Sequence, residues 1–172
     1  MIISVGGHPG SGKTTLSRKV RDAFRMTYVS AGQVFREMAE EKGVSLGEFG
    51  RMAEHDESID LEVDQKQKER AQDNTVVEGR MAAFMVDADV KIWLSAPLPV
   101  RAERIAKRED IPYEESLKKI KEREASEKKR YNKYYDVDIE VMDAYDLVIN
   151  TELWDADSVF TIVKAAIEVR EW

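Results

Sequence analysis

The sequence predicts an α/β fold, a three-layer α/β/α sandwich built on a five-stranded parallel sheet. Five short β-rich segments, at residues 1–5, 27–30, 75–78, 90–94 and 147–150, alternate with stretches of helical pattern. Most are short apolar runs without the polar–apolar alternation of a strand that has one wet face, as parallel strands covered on both sides require. The glycine-rich string Gly7-His8-Pro9-Gly10-Ser11-Gly12-Lys13-Thr14 follows the first run directly, and such a loop works only between a buried strand and the first turn of a helix. Helical connections between parallel strands imply right-handed crossovers, and ligands of such sheets lie beyond the carboxyl ends of the strands. Residues 6–14, 30–36, 78–80, 95–101 and 150–154 are therefore where chemistry is expected.

Taken in chain order, the first strand delivers the glycine-rich loop. Its backbone N–H groups and the helix N-terminus that follows, with Thr15 in the opening turn, can surround phosphates. Lys13 is placed to reach β- and γ-phosphates and the Thr14 hydroxyl to ligate Mg²⁺, so a nucleoside triphosphate is the expected ligand. The second strand ends at Ser30, placed to cap a helix carrying Arg36. The third ends at Glu78, beside the loop in this topology. Glu78 suits a Mg²⁺-bound water, a helix N-cap or a structural carboxylate. Arg80, two residues further on, should point into the same cleft. After the fourth strand, residues 101–130 carry eleven Lys/Arg against eight Asp/Glu in a chain whose formal net charge is −7. This basic segment can clamp an anionic ligand or form a solvated face of i,i+4 pairs. Within it Arg104 and Arg108 are four apart, and Arg123, Glu127 and Arg130 share one helical face. Trp93 is read as strand core, Trp154 and Trp172 as packing for the last helix, His55 as a surface residue, and Tyr131, Tyr134 and Tyr135 as core packing ahead of base stacking.

Composition narrows the function. A chain of 172 residues suits one domain with a substantial core. It has no cysteine, which fits a reducing cytosol and excludes disulfide and thiolate–metal chemistry. No apolar run reaches the roughly 20 residues of a membrane span, and strand-like residues begin at Met1, so neither membrane insertion nor a leader is expected. The negative charge argues against nucleic-acid binding by bulk electrostatics. A GTPase would carry an Asn-Lys-x-Asp string after a strand; Asn132-Lys133-Tyr134-Tyr135-Asp136 has one residue too many and follows a helix. Small size and a late basic segment favour a small-molecule kinase. Phosphoryl transfer needs several cations around two anionic groups and, with a phosphate oxygen as acceptor, no strong general base.

The strings Ser30-Ala31-Gly32-Gln33-Val34-Phe35-Arg36, Val77-Glu78-Gly79-Arg80, Lys91-Ile92-Trp93-Leu94, Arg101-Ala102-Glu103-Arg104-Ile105-Ala106-Lys107-Arg108, Ser126-Glu127-Lys128-Lys129-Arg130-Tyr131 and Tyr145-Asp146-Leu147-Val148-Ile149-Asn150-Thr151 resemble, in order, the short archaeal type of cytidylate kinase. The resemblance implies the nucleoside-monophosphate-kinase fold with strand order 2-3-1-4-5, a monophosphate-binding helical region near residues 31–73 and a lid near 101–130. It implies transfer of the ATP γ-phosphoryl group to CMP or dCMP, and a Mg²⁺-requiring, cytoplasmic monomer is expected. Carried over to this chain, Gly7, His8, Pro9, Gly10, Ser11, Gly12, Lys13, Thr14 and Thr15 hold ATP, with Arg104 covering it and residues 150–154 near its adenine. Ser30, Arg36, Arg80, Arg123, Glu127 and Arg130 belong to CMP, with Lys13, Arg80, Arg123 and Arg130 catalytic and Thr14 and Glu78 at the metal. His8 stands where the family pattern has proline; only its backbone amide is expected to matter. Cytosine offers an N4 donor where uracil has an acceptor, so a carboxylate can select it. Asp60 and Asp64 are candidates for that role, or are merely helix-surface charges. The rivals are another small-acceptor kinase (AMP, UMP or shikimate) and a kinase-like assembly ATPase acting on RNA.

Overall fold

The computed structural model describes residues 1–139 and 141–170; Trp172 lies outside them. Five parallel strands are ordered β2-β3-β1-β4-β5: β1 Ile2–Gly7, β2 Thr27–Ser30, β3 Thr75–Glu78, β4 Val90–Ser95 and β5 Leu147–Asn150. Sheet order and all five strands agree with expectation, but β1 runs two residues further than its composition suggested. Gly6 and Gly7 pair with Trp93 and Leu94 of β4, so partner strand and tertiary packing override the poor strand preference of glycine.

The pleat sends alternate residues to opposite faces. Ile3, Val5, Val76, Ile92, Leu94 and Ile149 pack beneath α1 (Lys13–Phe24) and α8 (Ala156–Glu168), where Leu16, Val20, Val159, Val163 and Ile167 close the main core. On the other face Trp93 meets Met81, Ala83, Ile139 and Tyr145, and Val77 meets Ala82 and Val86 around the short α5 (Ala82–Met85). The three layers follow from this division.

Two helical excursions have apolar clusters of their own. Between β2 and β3 run α2 (Ala31–Glu41), α3 (Leu46–Ala53) and α4 (Glu57–Arg70), joined by Val34, Met38, Phe49, Ala53, Ile59 and Val63. Between β4 and β5 run α6 (Leu98–Glu109) and α7 (Tyr113–Tyr135), joined by Ala102, Ile105 and Ile120. Local chemistry fixes their starts. Ser45 and Glu48 form a reciprocal capping box at α3, Asp56 caps α4 through the Ser58 amide, and Asp155 caps α8. Pro112 precedes α7, and α6 and α7 stop where Asp110 and Asp136 turn left-handed, at φ 53° and 51°.

Phe49 is wholly buried at the centre of the first excursion. Phe49→Ala should cost about 3–5 kcal/mol of stability, measured as a lower denaturant midpoint.

Candidate active site

The glycine-rich loop closes over the carboxyl end of β1. Gly7, Gly10 and Gly12 adopt φ of 141°, 79° and 99°. A methyl group on Gly7 would lie 2.2 Å from the Leu94 carbonyl oxygen, and one on Gly10 would lie 2.7 Å from that of Arg101. Both positions therefore require glycine on steric as well as torsional grounds. Gly12 heads α1, and no side chain caps that helix. Its first amides remain available to an anion.

Lys13 bridges the loop, its ammonium donating to the His8 carbonyl at 2.8 Å. Loss of water, with Arg80 adding repulsion and Glu78 opposing, lowers its pKa to about 7. Thr14 Oγ1 donates to Glu78 Oε1 at 2.9 Å, and the Tyr28 hydroxyl donates to the other Glu78 oxygen. Burial, reinforced by that hydrogen bond, pushes the Tyr28 hydroxyl up to about 12. Gln67 of α4, fully buried, donates to the Glu78 backbone carbonyl at 3.0 Å. Three elements thus fix the end of β3, where Glu78 and Thr14 form a hard oxygen pair. No group of three or more His, Cys, Asp or Glu capable of holding a metal occurs among the described residues. This pair would act as a partial ligand set completed by nucleotide and water.

Across the cleft, the arginines are held by carboxylates. Arg80 is 6% exposed, and its Nη1 lies 2.6 Å from Glu127 Oε2. Arg123 Nε donates to Glu127 Oε1 at 2.6 Å, so one carboxylate joins two guanidinium groups. Burial alone would raise the Glu127 carboxyl, but Arg80 and Arg123, with help from Arg130, hold it down at about 2. Arg130 pairs with Asp60 and stacks near Phe35, 5.5 Å from its ring centroid. Arg80 Nε and Nη2 and Arg130 Nε are buried without a hydrogen-bond partner. Unmet buried donors are costly, and an anion entering the cleft would satisfy them.

These groups share one cavity of about 1510 Å³. It brings together the loop from Pro9 to Thr15, Ser30, Arg36, Asp60, Asp64, Glu78, Arg80, Arg104, Arg123, Glu127 and Arg130.

Several details differ from the sequence reading. Ser30 occupies the N-cap position of α2, yet its side chain makes no capping bond. Arg104 does not lie free over the cleft. Its guanidinium donates to Thr151 Oγ1 at 2.8 Å and to the Thr151 carbonyl at 2.7 Å, while Thr151 Oγ1 donates to the Ser11 carbonyl at 3.0 Å. It binds the β5 end to the glycine-rich loop. Asp60 and Asp64 are buried rather than surface charges. Asp60 holds Arg130, and Asp64 accepts from the Tyr135 hydroxyl. Burial lifts the Asp64 carboxyl to about 6, although the Tyr135 bond opposes and Asp60 adds. Tyr134 donates to the carbonyls ending α3, at 3.1 Å to Ala53 and 3.0 Å to Glu54. Trp154 borders the cleft half-exposed instead of packing α8. His8 contributes its ring as well as its amide, edge-on to Trp93 at 5.3 Å and with Nδ1 3.2 Å from Glu124. Tyr28, Gln67 and Glu124 were absent from the expected site, and Arg101 and Thr151 fell within expected segments without a role of their own. No short-range pattern marks them, since their partners lie distant in sequence.

Comparison with known proteins agrees with this architecture. The chain is 49% identical to the cytidylate kinase of Methanocaldococcus jannaschii over 174 residues, covering 98% of both proteins. It is 52% identical to that of Pyrococcus horikoshii, covering 98% of this chain and 88% of the relative. Among solved structures, an uncharacterized protein from Eubacterium ventriosum superposes with a TM-score of 0.75 at 18% identity, covering 99% of both chains. The shikimate kinase of Aquifex aeolicus gives 0.61 at 20% identity, covering 98% of this chain and 96% of that one, a likeness of fold. Residues 2–153 match the cytidylate kinase-like family, and on that match and these relatives the chain belongs to that family.

Proposed function

We infer that this protein is a cytidylate kinase, transferring the γ-phosphoryl group of ATP to CMP or dCMP. The observation that carries the reading is the convergence of Arg80, Arg123 and Arg130 on the cleft that holds the phosphate loop, with buried N–H donors still unmet. A triphosphate would occupy the loop from Gly7 to Thr15, with Lys13 on its terminal phosphates. Trp154 and the Arg104–Thr151 clasp border the end where adenine would rest. CMP would lie on the opposite side, its phosphate among Arg36, Arg80, Arg123 and Arg130, near Ser30.

In this arrangement Lys13 and the arginines hold two anionic groups end to end and balance the charge that spreads over the transferred group. Thr14 and Glu78 would hold Mg²⁺, which supplies further charge neutralisation at the β- and γ-oxygens when bound. The separate apolar clusters of α2–α4 and α6–α7 suit a flap and a lid that move as units and exclude water from the reaction. One chain lines both nucleotide positions, in keeping with action as a monomer.

The side-chain partners of the two candidate base readers favour one of them. Asp60 is committed to Arg130, whereas Asp64 has a neutral partner in Tyr135. Asp64 is accordingly assigned the cytosine N4 amino group.

ADP release assayed with CMP, dCMP, UMP, AMP and shikimate tests the activity. CMP or dCMP should be preferred, and equal turnover of AMP would contradict the reading. Lys13→Ala and Arg80→Ala should each lower kcat at least ~10²-fold in folded protein, the scale of an electrostatic transition-state contact. Asp64→Asn, which offers an amide donor to uracil O4, should reduce the CMP-over-UMP preference by about tenfold or more in kcat/KM. Because the free Lys13 pKa is lowered to about 7 and a bound triphosphate raises it, binding should take up a proton above that pH. Affinity should then weaken as pH rises from about 7 to about 9. Calorimetry at about pH 8 in buffers of different ionisation enthalpy should show uptake approaching ~1 proton.

A further inference from the structure

Glu124 lies on α7 one residue beyond Arg123, and a single oxygen of its carboxylate accepts a hydrogen bond from Arg101 and faces two further nitrogens. Its Oε1 lies 2.7 Å from Arg101 Nη1, 3.2 Å from His8 Nδ1 and 3.7 Å from Arg80 Nη2. Those partners come from three places: the start of α6, the phosphate loop and the segment after β3. Arg101 is 5% exposed. Its Nε donates to the Ala96 carbonyl at 2.9 Å and its Nη1 to the Pro9 carbonyl at 3.2 Å. Its backbone also sets the close approach at Gly10. The back wall of the phosphate loop is therefore a buried cation whose counter-charge is Glu124. Burial would raise the Glu124 carboxyl, but the His8 and Arg101 contacts, with Arg80, hold it at about 2.

Arg80 meets two carboxylates of the same helix, one closely and one at longer range. Glu127 holds Nη1 at 2.6 Å, and Glu124, one turn earlier, faces Nη2 at 3.7 Å. A guanidinium is planar, so a close carboxylate on Nη1 and a second carboxylate facing Nη2 together bias the plane in which its unmet donors are presented. Glu124 thereby faces both Arg80 and the arginine behind the phosphate loop.

We propose that Glu124 is a positioning residue for phosphoryl transfer, setting Arg80 in register with the phosphate loop through one shared carboxylate oxygen. The proposal rests on the cytidylate kinase reading and extends it to a residue outside the lining of the cleft. Displacements of about 1 Å at a transfer site cost on the order of 10²-fold in rate. Removing the charge while keeping the shape, as in Glu124→Gln, should therefore act on kcat rather than on binding.

The test is a double-mutant cycle in the full chain, with initial rates over both substrates for the wild-type protein, E124Q, R80A and the double variant. Melting temperatures of all four establish that they are folded. E124Q should lower kcat about 10–100-fold while the KM values for ATP and CMP stay within about threefold of the parent. In the R80A background the same change should cost less than about threefold, because its effect passes through Arg80. A kcat within about twofold of the parent overturns the proposal, as does an undiminished cost in the R80A background, which is what a merely structural role produces. Should E124Q fail to fold, E124D withdraws the oxygen while keeping the charge. A lower kcat at unchanged KM then supports the proposal, and parental kcat overturns it. If the wild-type protein does not phosphorylate CMP at all, the kinase reading fails instead.

Discussion

The arrangement depends on one constraint: positive charge must be concentrated in a partly dry cleft before any phosphate arrives. Unpaired, the buried guanidinium groups of Arg80 and Arg130 would be strongly destabilising. The chain meets this with carboxylates on the adjoining helices. Glu127 serves Arg80 and Arg123, Asp60 serves Arg130, and Glu124 serves Arg101. Removing one member of such a pair leaves an uncompensated charge at a cost of about 3–5 kcal/mol. Pairing is incomplete, however. Donors on Arg80 and Arg130 remain unmet, which is the condition for a phosphate to gain by entering.

The sheet places these opposing charges within reach. With β1 between β3 and β4, the phosphate loop leaves the sheet beside Glu78 and Arg80 on one side and Leu94 on the other. The close fit of Gly7 to the Leu94 carbonyl fixes the loop to β4. Arg104 and Thr151 tie it to the end of β5. Loop, metal-suited oxygens and Arg80 are thus referenced to one rigid layer, while α2–α4 and α6–α7 carry Arg36, Arg123 and Arg130 on clusters of their own.

Sequence reading succeeded where chemistry is encoded locally. The glycine spacing specifies a backbone path, so the loop from Gly7 to Thr14 was legible in full. Arg80, Arg123 and Arg130 were legible because phosphoryl transfer demands cations just after strands and on a basic helix. The strand order came from family resemblance, not from pattern. What stayed hidden depends on contacts between distant segments. Gln67 reads as one more polar residue on a charged helix until β3 arrives beneath it. Glu124 reads as one more charge of a basic helical segment, and nothing local shows that Arg101 reaches back 92 residues to the Pro9 carbonyl. Ser30 fitted a capping pattern that its side chain does not use. Arg104 was expected at ATP and does line the cleft, but nothing local reveals that Thr151 holds its guanidinium.

The central claim is that one cleft holds two nucleotides end to end, with the phosphate loop at one end and the arginines at the other. It is tested most directly by an inhibitor in which cytidine and adenosine are joined 5′ to 5′ through a pentaphosphate. Steady-state inhibition should be competitive against both ATP and CMP, because a single molecule spans both positions. Inhibition that competes with ATP while leaving the apparent KM for CMP untouched would contradict it.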